Sequence, residues 1–214
     1  MIKFYGYFRS SAAYRCRIAL NLKGISYKFV PVHLRRDGGD QKKPEYLAIN
    51  PQGLVPALEV EGTVLTQSLA IIEYLDEVYP MPAFMPSTAI ARAKVRSFAE
   101  IIACDTHPLQ NLRVLQYLKQ ELNQPQDAVD QWCQNWIYKS LTACESLLRG
   151  SAHDFAFGNA PSLADICLIP QLYAAERFHV DLSSMPKLNK IRRLCEALPA
   201  FAESHPDRQP DYES

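Results

Sequence analysis

The sequence lacks most of the features by which large classes of protein are recognised. Its 23 lysines and arginines balance 23 aspartates and glutamates, whereas a nucleic-acid-binding protein would normally show a basic excess. No window of about 18 residues is apolar and uncharged, so no membrane partner is expected. Met1–Gly6 has no basic stretch followed by a long apolar one, so we expect no secretory signal and a cytoplasmic protein.

Several catalytic motifs are also missing. The sequence has no G-x-G-x-x-G and no G-x-x-x-x-G-K, which are the usual phosphate-binding loops for dinucleotides and nucleoside triphosphates. It has no H-E-x-x-H and no G-x-S-x-G, and its five histidines are scattered, so neither a metal centre nor a serine-hydrolase triad is expected. The six cysteines form no C-x-x-C pair, and we expect mostly buried, reduced thiols.

The first eighty residues alternate strand and helix patterns. These patterns are strand 2–5, a helix from Ser10-Ser11 to Leu22, strand 27–32, a polar mobile loop 34–44, strand 55–60, strand 63–66 and helix 68–79. The order β-α-β, loop, β-β-α predicts a thioredoxin-like sheet. In such a sheet the first strand pair is parallel and the last is antiparallel.

Prolines at 80, 82 and 86 mark a domain boundary, and no strand pattern follows them. The helical patterns beyond are 87–122, interrupted at Pro108, then 128–148, 162–178 with a capping box at Ser162–Asp165, and 185–198. The polar tail from Ser204 is expected to lie loosely on the surface. The predicted fold class is therefore α/β plus all-α, with a thioredoxin-like domain 1–80 and an all-helical domain 87–214.

The start of the first helix is the first candidate site. In thioredoxin-like enzymes that position carries the redox cysteine, and its absence here excludes a disulfide oxidoreductase. A serine hydroxyl such as that of Ser10, with the free N–H groups of the helix behind it, can hold an incoming thiol as thiolate. Serine is also a preferred N-cap, so a purely structural role stays open.

Two further features lie near the predicted sheet. Val55-Pro56 allows a cis bond that would turn the Val55 backbone towards a peptide-like ligand. Gln67-Ser68 opens the second helix and provides a site for a carboxylate. A tripeptide with a thiol and a carboxylate at each end would satisfy all three features. Residues 1–36 contain eight basic residues and no acidic one, which favours a small anionic ligand or is a chance run on solvated faces.

At these residues the sequence resembles the glutathione transferases, and specifically their zeta class, which includes the maleylacetoacetate isomerases. The resemblance covers essentially the whole chain. It is carried by Phe8–Ser11, Arg17–Leu20, Asn50–Gln52, Leu54–Leu58, Gln67–Leu75, His107–Leu112, Ala164-Asp165, Pro170-Gln171, Ala175–Phe178 and Arg208–Asp211. The sequence departs from the class at Ala12, Tyr14 and Cys16, which replace a cysteine, a tryptophan and an aliphatic residue.

The resemblance implies a glutathione-dependent cis–trans isomerase that converts maleylacetoacetate to fumarylacetoacetate in tyrosine and phenylalanine catabolism. The thiolate would add reversibly to the double bond so that it can rotate. The resemblance implies that Ser10 is the catalytic hydroxyl bound to the glutathione sulfur. The other implied glutathione-binding residues are Ser11, Ala12, Gln41, Val55, Gln67, Ser68, His107, Asn111 and Arg113. Arg9 and Arg177 are the implied anchors for substrate carboxylates, with a surface ion pair to Glu176 as the alternative for Arg177.

Three alternatives stay open at this point. A maleylpyruvate isomerase, or a transferase acting on small halogenated acids, would share the fold and the sulfur site. A binding module of the same fold without catalysis is the third alternative. The resemblance also implies a homodimer.

Overall fold

A sheet of four strands forms the centre of the N-terminal part, in a computed structural model that describes residues 1–213. The strands are β1 (Lys3–Gly6), β2 (Lys28–Pro31), β3 (Ala57–Val60) and β4 (Thr63–Thr66), in the order β2-β1-β3-β4. β1 pairs parallel with β2 and antiparallel with β3, and β3 pairs antiparallel with β4. This confirms the thioredoxin-like sheet that the sequence predicts.

Three helices accompany the sheet: α1 (Ser11–Leu22), α2 (Pro44–Leu47) and α3 (Ser68–Val78). α1 packs against α3. Buried side chains from strands and helices form the core, among them Phe4, Ile18, Leu58 and Ile71. The segment expected to be a polar loop forms two single 3-10 turns, Arg36–Gly38 and Asp40–Lys42.

The C-terminal part is helical. Its helices are α4 (Ala89–Glu100), α5 (Leu112–Gln120), α6 (Gln126–Leu147), α7 (Leu163–Arg177) and α8 (Pro186–Glu196). The helical pattern 87–122 is interrupted around Pro108, as predicted, because α4 runs into a π-helical turn and then a 3-10 turn that contains Pro108. The predicted capping box is present, since the Asp165 carboxylate accepts hydrogen bonds from Ser162 N and Ser162 Oγ, both at 2.8 Å.

The end of the chain differs from expectation. Contacts divide the chain into one unit of Met1–Ala83 with the segment from Leu198 onward, and a second unit of Phe84–Ala197. The sequence placed everything after residue 87 in the helical domain, but α9 (Pro199–Ser204) packs against α1. The tail beyond it is not loose, because Asp211 Oδ2 accepts a hydrogen bond from Phe8 N at 2.9 Å.

Among residues 1–213 no helix combines the length and the apolar character needed to cross a lipid bilayer.

Candidate active site

One end of the sheet gathers most of the predicted site residues of the first unit. Tyr5 pairs with Ala57, and Ala57 pairs with Thr66, so β1 and β4 end where β3 begins. β2 runs parallel to β1 and ends at the same side. The connections at this end carry the predicted residues Arg9, Ser10, Gln41, Val55, Gln67 and Ser68.

Ser10 is the N-cap of α1. Its Oγ accepts a hydrogen bond from Ala13 N at 3.2 Å, and its backbone N–H donates to Tyr7 O at 3.0 Å. Because Oγ serves as the acceptor of the cap, its own proton is available to a ligand: within residues 1–213 the hydroxyl donates to no other group. The structural and the chemical interpretation of Ser10 are therefore compatible.

The surroundings of Ser10 favour an anion. The first turn of α1 contains no acidic residue, so the partial positive charge of the helix N-terminus is not neutralised there. The guanidinium of Arg9 lies 5.1 Å from the centre of the Phe8 ring, and no carboxylate of residues 1–213 forms an ion pair with it. Ser11 and Ala12 are buried in the first turn of α1, where Ala12 brings no polar side-chain group.

The start of α3 is a second candidate site for an anion. Gln67 has a positive φ of 67°, and its side chain donates to Gln52 Oε1 at 2.8 Å instead of capping the helix. The first N–H groups of α3 therefore have no side-chain cap. Ser68 is buried, and its Oγ accepts a hydrogen bond from Arg15 Nε at 3.1 Å.

Arg15 is a candidate functional residue that the sequence analysis missed. Its side chain is on α1, with only 2% of the residue exposed, and among residues 1–213 it forms no ion pair with a carboxylate. A buried guanidinium beside an uncapped helix N-terminus attracts an anionic group. The sequence signal was only an arginine inside an apolar helix, and that pattern does not tell which residue it touches.

Val55 provides a free stretch of backbone. The Val55-Pro56 peptide bond is cis, the conformation that the sequence allowed. Leu54 O accepts hydrogen bonds from Tyr46 Oη and from Asn50 Nδ2, both at 2.7 Å, which fixes the loop just before Val55. Within residues 1–213 the backbone N–H and C=O of Val55 form no hydrogen bond, so a ligand backbone can pair with them.

Gln41 presents a buried and incompletely bonded amide. Only 7% of the residue is exposed, and its Nε2 donates to Leu34 O at 3.2 Å. Its Oε1 is buried and has no partner in the part of the chain that is described. Gly39 has a φ of 102° and lies against this amide, where a Cβ would come within 2.4 Å of Oε1. A ligand group would satisfy the remaining oxygen.

The second unit carries the other predicted residues. Asn111 is the N-cap of α5, and its Oδ1 accepts a hydrogen bond from Arg113 N at 3.2 Å. His107 begins the 3-10 turn before it. That turn is held by two bonds, from Gln110 Nε2 to Gln171 Oε1 at 2.6 Å and from Trp132 Nε1 to Leu109 O at 2.8 Å.

Arg177 is exposed in the last turn of α7. Its Cζ lies 5.6 Å from the centre of the Phe178 ring and 6.0 Å from that of Tyr173. The carboxylate of Glu176, which the sequence allowed as its partner, accepts a hydrogen bond from Arg192 Nη2 at 2.7 Å instead. Arg113, on the first turn of α5, is also exposed.

Burial makes several thiols of the protein poor nucleophiles. Five of the six cysteines are buried and Cys104 is exposed. Burial raises the pKa of Cys133 and of Cys144 to about 12, and it also raises the pKa of Cys195. These buried thiols stay protonated at neutral pH. Residues 1–213 contain no cluster of three or more His, Cys, Asp or Glu side chains able to bind a metal.

Comparison with known proteins gives a consistent result. The model of the glutathione S-transferase N-terminal domain matches residues 9–78, and that of the C-terminal domain matches residues 126–203. The maleylacetoacetate isomerase of Pseudomonas aeruginosa is 49% identical over 211 residues, which cover 98% of each chain.

Two solved structures are also similar to this chain. One is the holo form of a maleylpyruvate isomerase, a bacterial zeta-class glutathione S-transferase, with a TM-score of 0.96 and 42% identity over 99% of this chain and 100% of that one. The other is a maleylacetoacetate isomerase from Methylobacterium extorquens with bound malonate and GSH. Its TM-score is 0.94, with 43% identity over 99% of this chain and 100% of that one.

Proposed function

The chain belongs to the zeta class of the glutathione S-transferase family, and we propose that it is a glutathione-dependent isomerase that converts maleylacetoacetate to fumarylacetoacetate. The observation that carries this proposal is the geometry of Ser10, whose hydroxyl proton is available at the start of α1. The whole-length identity to a maleylacetoacetate isomerase supports the choice of substrate.

The first unit fits the groups of glutathione. Ser10 suits the thiol, and the uncapped start of α3 with Ser68 suits a carboxylate. The unbonded backbone of Val55 suits the peptide portion, and Gln67 and the buried Gln41 amide offer further polar contacts. When bound, glutathione supplies a sulfur nucleophile that adds to the conjugated double bond and later leaves.

Ser10 acts in the proposed mechanism by donating a hydrogen bond to the sulfur. The donation favours the thiolate over the thiol, and the N–H groups of α1 act in the same direction. The bond that Oγ accepts from Ala13 polarises the hydroxyl and strengthens it as a donor. Together these effects account for a fall of about one to two units in the thiol pKa, each unit being about 1.4 kcal/mol.

Arg9 and Arg177 are the proposed substrate-binding residues. We assign both to the carboxylates of the substrate, because the planar guanidinium fork binds both oxygens of a carboxylate. His107, Asn111 and Arg113 are assigned to glutathione, with Ser11 and the backbone of Ala12. The bond between Asn111 Oδ1 and Arg113 N leaves the Asn111 amide N–H₂ as a donor.

The wider setting is part of the same proposal. Residues 1–80 form a glutathione-binding domain and the helical residues from 87 onward bind substrate, with 198–213 grouped with the first unit. We propose a homodimer in the cytoplasm, without nucleic-acid or membrane partners, acting in tyrosine and phenylalanine catabolism. The expectation of no nucleic-acid partner is based on the zero net charge of the chain.

A maleylpyruvate isomerase is the second candidate, favoured by the similarity to the holo enzyme of that name. Turnover of each diacid, measured with and without glutathione, separates the two candidates. We expect maleylacetoacetate to be converted faster than maleylpyruvate when glutathione is present. Without glutathione we expect no conversion of maleylacetoacetate. Faster turnover of maleylpyruvate would favour the second candidate, and equal conversion without glutathione would contradict both.

A further inference from the structure

The backbone just before Ser10 is held from two sides. Arg17 donates from Nη1 to Tyr7 O at 3.4 Å and from Nη2 to Phe8 O at 3.0 Å. On the other side Phe8 N donates to Asp211 Oδ2 at 2.9 Å, over a sequence separation of 203 residues. The Tyr7–Phe8 segment thus has both of its carbonyls and the Phe8 amide fixed by side chains.

This segment determines where Ser10 lies. Tyr7 O accepts the hydrogen bond from Ser10 N at 3.0 Å in addition to the one from Arg17. A shift of the Phe8 peptide would therefore move Ser10 and its hydroxyl. Catalytic groups have to be held within a fraction of an ångström of the productive geometry, and a displacement of about 1 Å can cost about 100-fold in rate.

The C-terminal segment supplies this support. Arg17 is 0% exposed, and its Nε donates to Ser204 O at 3.1 Å. The ring of Tyr212 packs edge-on against Phe8 with centroids 5.4 Å apart. The C-terminal segment thus contacts Arg17 through Ser204, before Asp211, and the Phe8 ring through Tyr212, after it.

Stability alone does not explain an aspartate at position 211. Its Oδ1 is buried and has no hydrogen-bond partner among residues 1–213, while Oδ2 accepts the bond from Phe8. A carboxylate in such a place costs free energy that an apolar residue would not. Incompletely satisfied polar groups of this kind call for an explanation other than packing.

We propose that Asp211 is a positioning residue that holds the Phe8 turn so that the Ser10 hydroxyl points at the glutathione sulfur. The inference rests on the proposed function, because it gives Ser10 the role of sulfur ligand. It makes the last residues of the chain part of its active site. What matters is an acceptor oxygen at this position, not the negative charge.

The test compares Asp211→Ala with Asp211→Asn, which keeps an acceptor oxygen for Phe8 N. Glu203→Ala is the control, because Glu203 is an exposed carboxylate of the same segment whose side chain has no hydrogen bond within residues 1–213. For each protein the pKa of the bound glutathione thiol is measured by thiolate absorbance. The dissociation constant for glutathione, kcat and hydrogen exchange of the Phe8 amide are measured alongside.

We expect Asp211→Ala to raise the pKa of the bound thiol, to speed exchange of the Phe8 amide and to lower kcat about tenfold. The dissociation constant should change by less than about twofold, since Ser68 and Val55 are untouched. Asp211→Asn and Glu203→Ala should behave as the wild type. If Asp211→Ala does not fold, Asp211→Glu, which displaces the oxygen by one methylene, should show the same rise in the thiol pKa.

Two results would overturn the inference. One is a thiol pKa in Asp211→Ala, or in Asp211→Glu if only that variant folds, equal to that in Glu203→Ala. The other is a rise in the thiol pKa and a fall in kcat that are as large in Asp211→Asn as in Asp211→Ala. That result would assign the effect to the negative charge of Asp211. Failure of the proposed function is recognised separately, because the wild type would then show no glutathione-dependent turnover.

Discussion

The Oγ of Ser10 and the backbone N–H of Ala13 form a hydrogen bond of 3.2 Å that closes the first turn of α1. At the start of α3 the Oγ of Ser68 also accepts a hydrogen bond, in this case from the side-chain Nε of Arg15 and not from a backbone N–H. In both serines the oxygen is engaged by the protein as an acceptor, and the proton is left for donation to a ligand. Two helix starts at one end of the sheet thus present hydroxyl protons, which we propose are donated to a thiolate at Ser10 and to a carboxylate at Ser68.

Replacing Ser10 by alanine should remove most of the isomerase activity. One preorganised donor to a developing or stabilised anion contributes about 100-fold or more in rate. Loss of the N-cap should also lower the free energy of unfolding by about 1 kcal/mol. Steady-state kinetics and urea unfolding measure the two effects.

Ser10→Thr is the control for this substitution, since threonine keeps both the hydroxyl and the cap. We expect it to retain more activity than Ser10→Ala. Near-wild-type activity in Ser10→Ala would remove Ser10 from the mechanism.

Replacing Arg15 by methionine should weaken glutathione binding. The substitution keeps an unbranched side chain but removes the donor to Ser68 and the positive charge near the start of α3. We expect the dissociation constant for glutathione to rise about tenfold, which is about 1.4 kcal/mol, with a smaller effect on kcat. Calorimetric titration measures it.

Lys28→Met is the matched control, because Lys28 is an exposed cation on β2. It should leave the affinity unchanged. An equal loss of glutathione affinity in Arg15→Met and Lys28→Met would mean that only the general positive charge of this part of the chain affects binding.

Replacing Asp165 by asparagine should destabilise the second unit. The two carboxylate oxygens accept bonds from Ala156 N, Ser162 N and Ser162 Oγ, each at 2.8 Å. An amide has only one acceptor oxygen, so a buried donor is left facing another donor, at a cost of about 1–3 kcal/mol. Asp154→Asn, at an exposed ion pair with Lys190, should cost less than about 1 kcal/mol in the same urea unfolding experiment.

The pH dependence of unfolding tests the same carboxyl. Burial raises the pKa of Asp165 above its value in the unfolded chain. The folded state then binds the proton more tightly than the unfolded chain does. The contribution of Asp165 to stability is therefore full below its unfolded pKa and falls as the pH rises from the unfolded pKa through the higher folded pKa. Asp165→Asn should flatten this part of the curve, and an unchanged slope would contradict the assignment.

Alkylation should show that the reactive sulfur is not one of the protein's own. Cys104 is exposed, whereas Cys133 and Cys144 are buried with a pKa of about 12. Iodoacetamide should therefore modify Cys104 and spare the other two, and Cys104→Ser should keep its isomerase activity. An inactive Cys104→Ser variant that is still folded would contradict this account.

Local sequence patterns predicted the parts of the site that depend on neighbouring residues. Ser10 as a cap, the box at Ser162–Asp165 and the bend at Val55-Pro56 each depend on a few consecutive residues, and each is present in the structure. Gln67 was indicated by the pattern at the start of the second helix, and Gln41 only by the family resemblance. The surroundings of the two residues, a positive φ at Gln67 and a buried amide against Gly39 at Gln41, were not predicted.

Contacts between distant segments could not be predicted. Arg15 and Ser68 are 53 residues apart, and their contact depends on how α1 packs against α3. Asp211 and Phe8 are 203 residues apart, and the polar composition of the tail indicated only a solvated segment. In both cases the physical reason is a buried polar group that finds its partner only in the folded chain.

The most direct test of the central claim is the ionisation of glutathione bound to the protein. Thiolate absorbance is titrated in the complexes with wild type and with Ser10→Ala. The account predicts that the pKa of the bound thiol in the wild type lies about one to two units below that of free glutathione. In Ser10→Ala the pKa of the bound thiol should rise most of the way back to that of free glutathione. The same pKa in both complexes would contradict it.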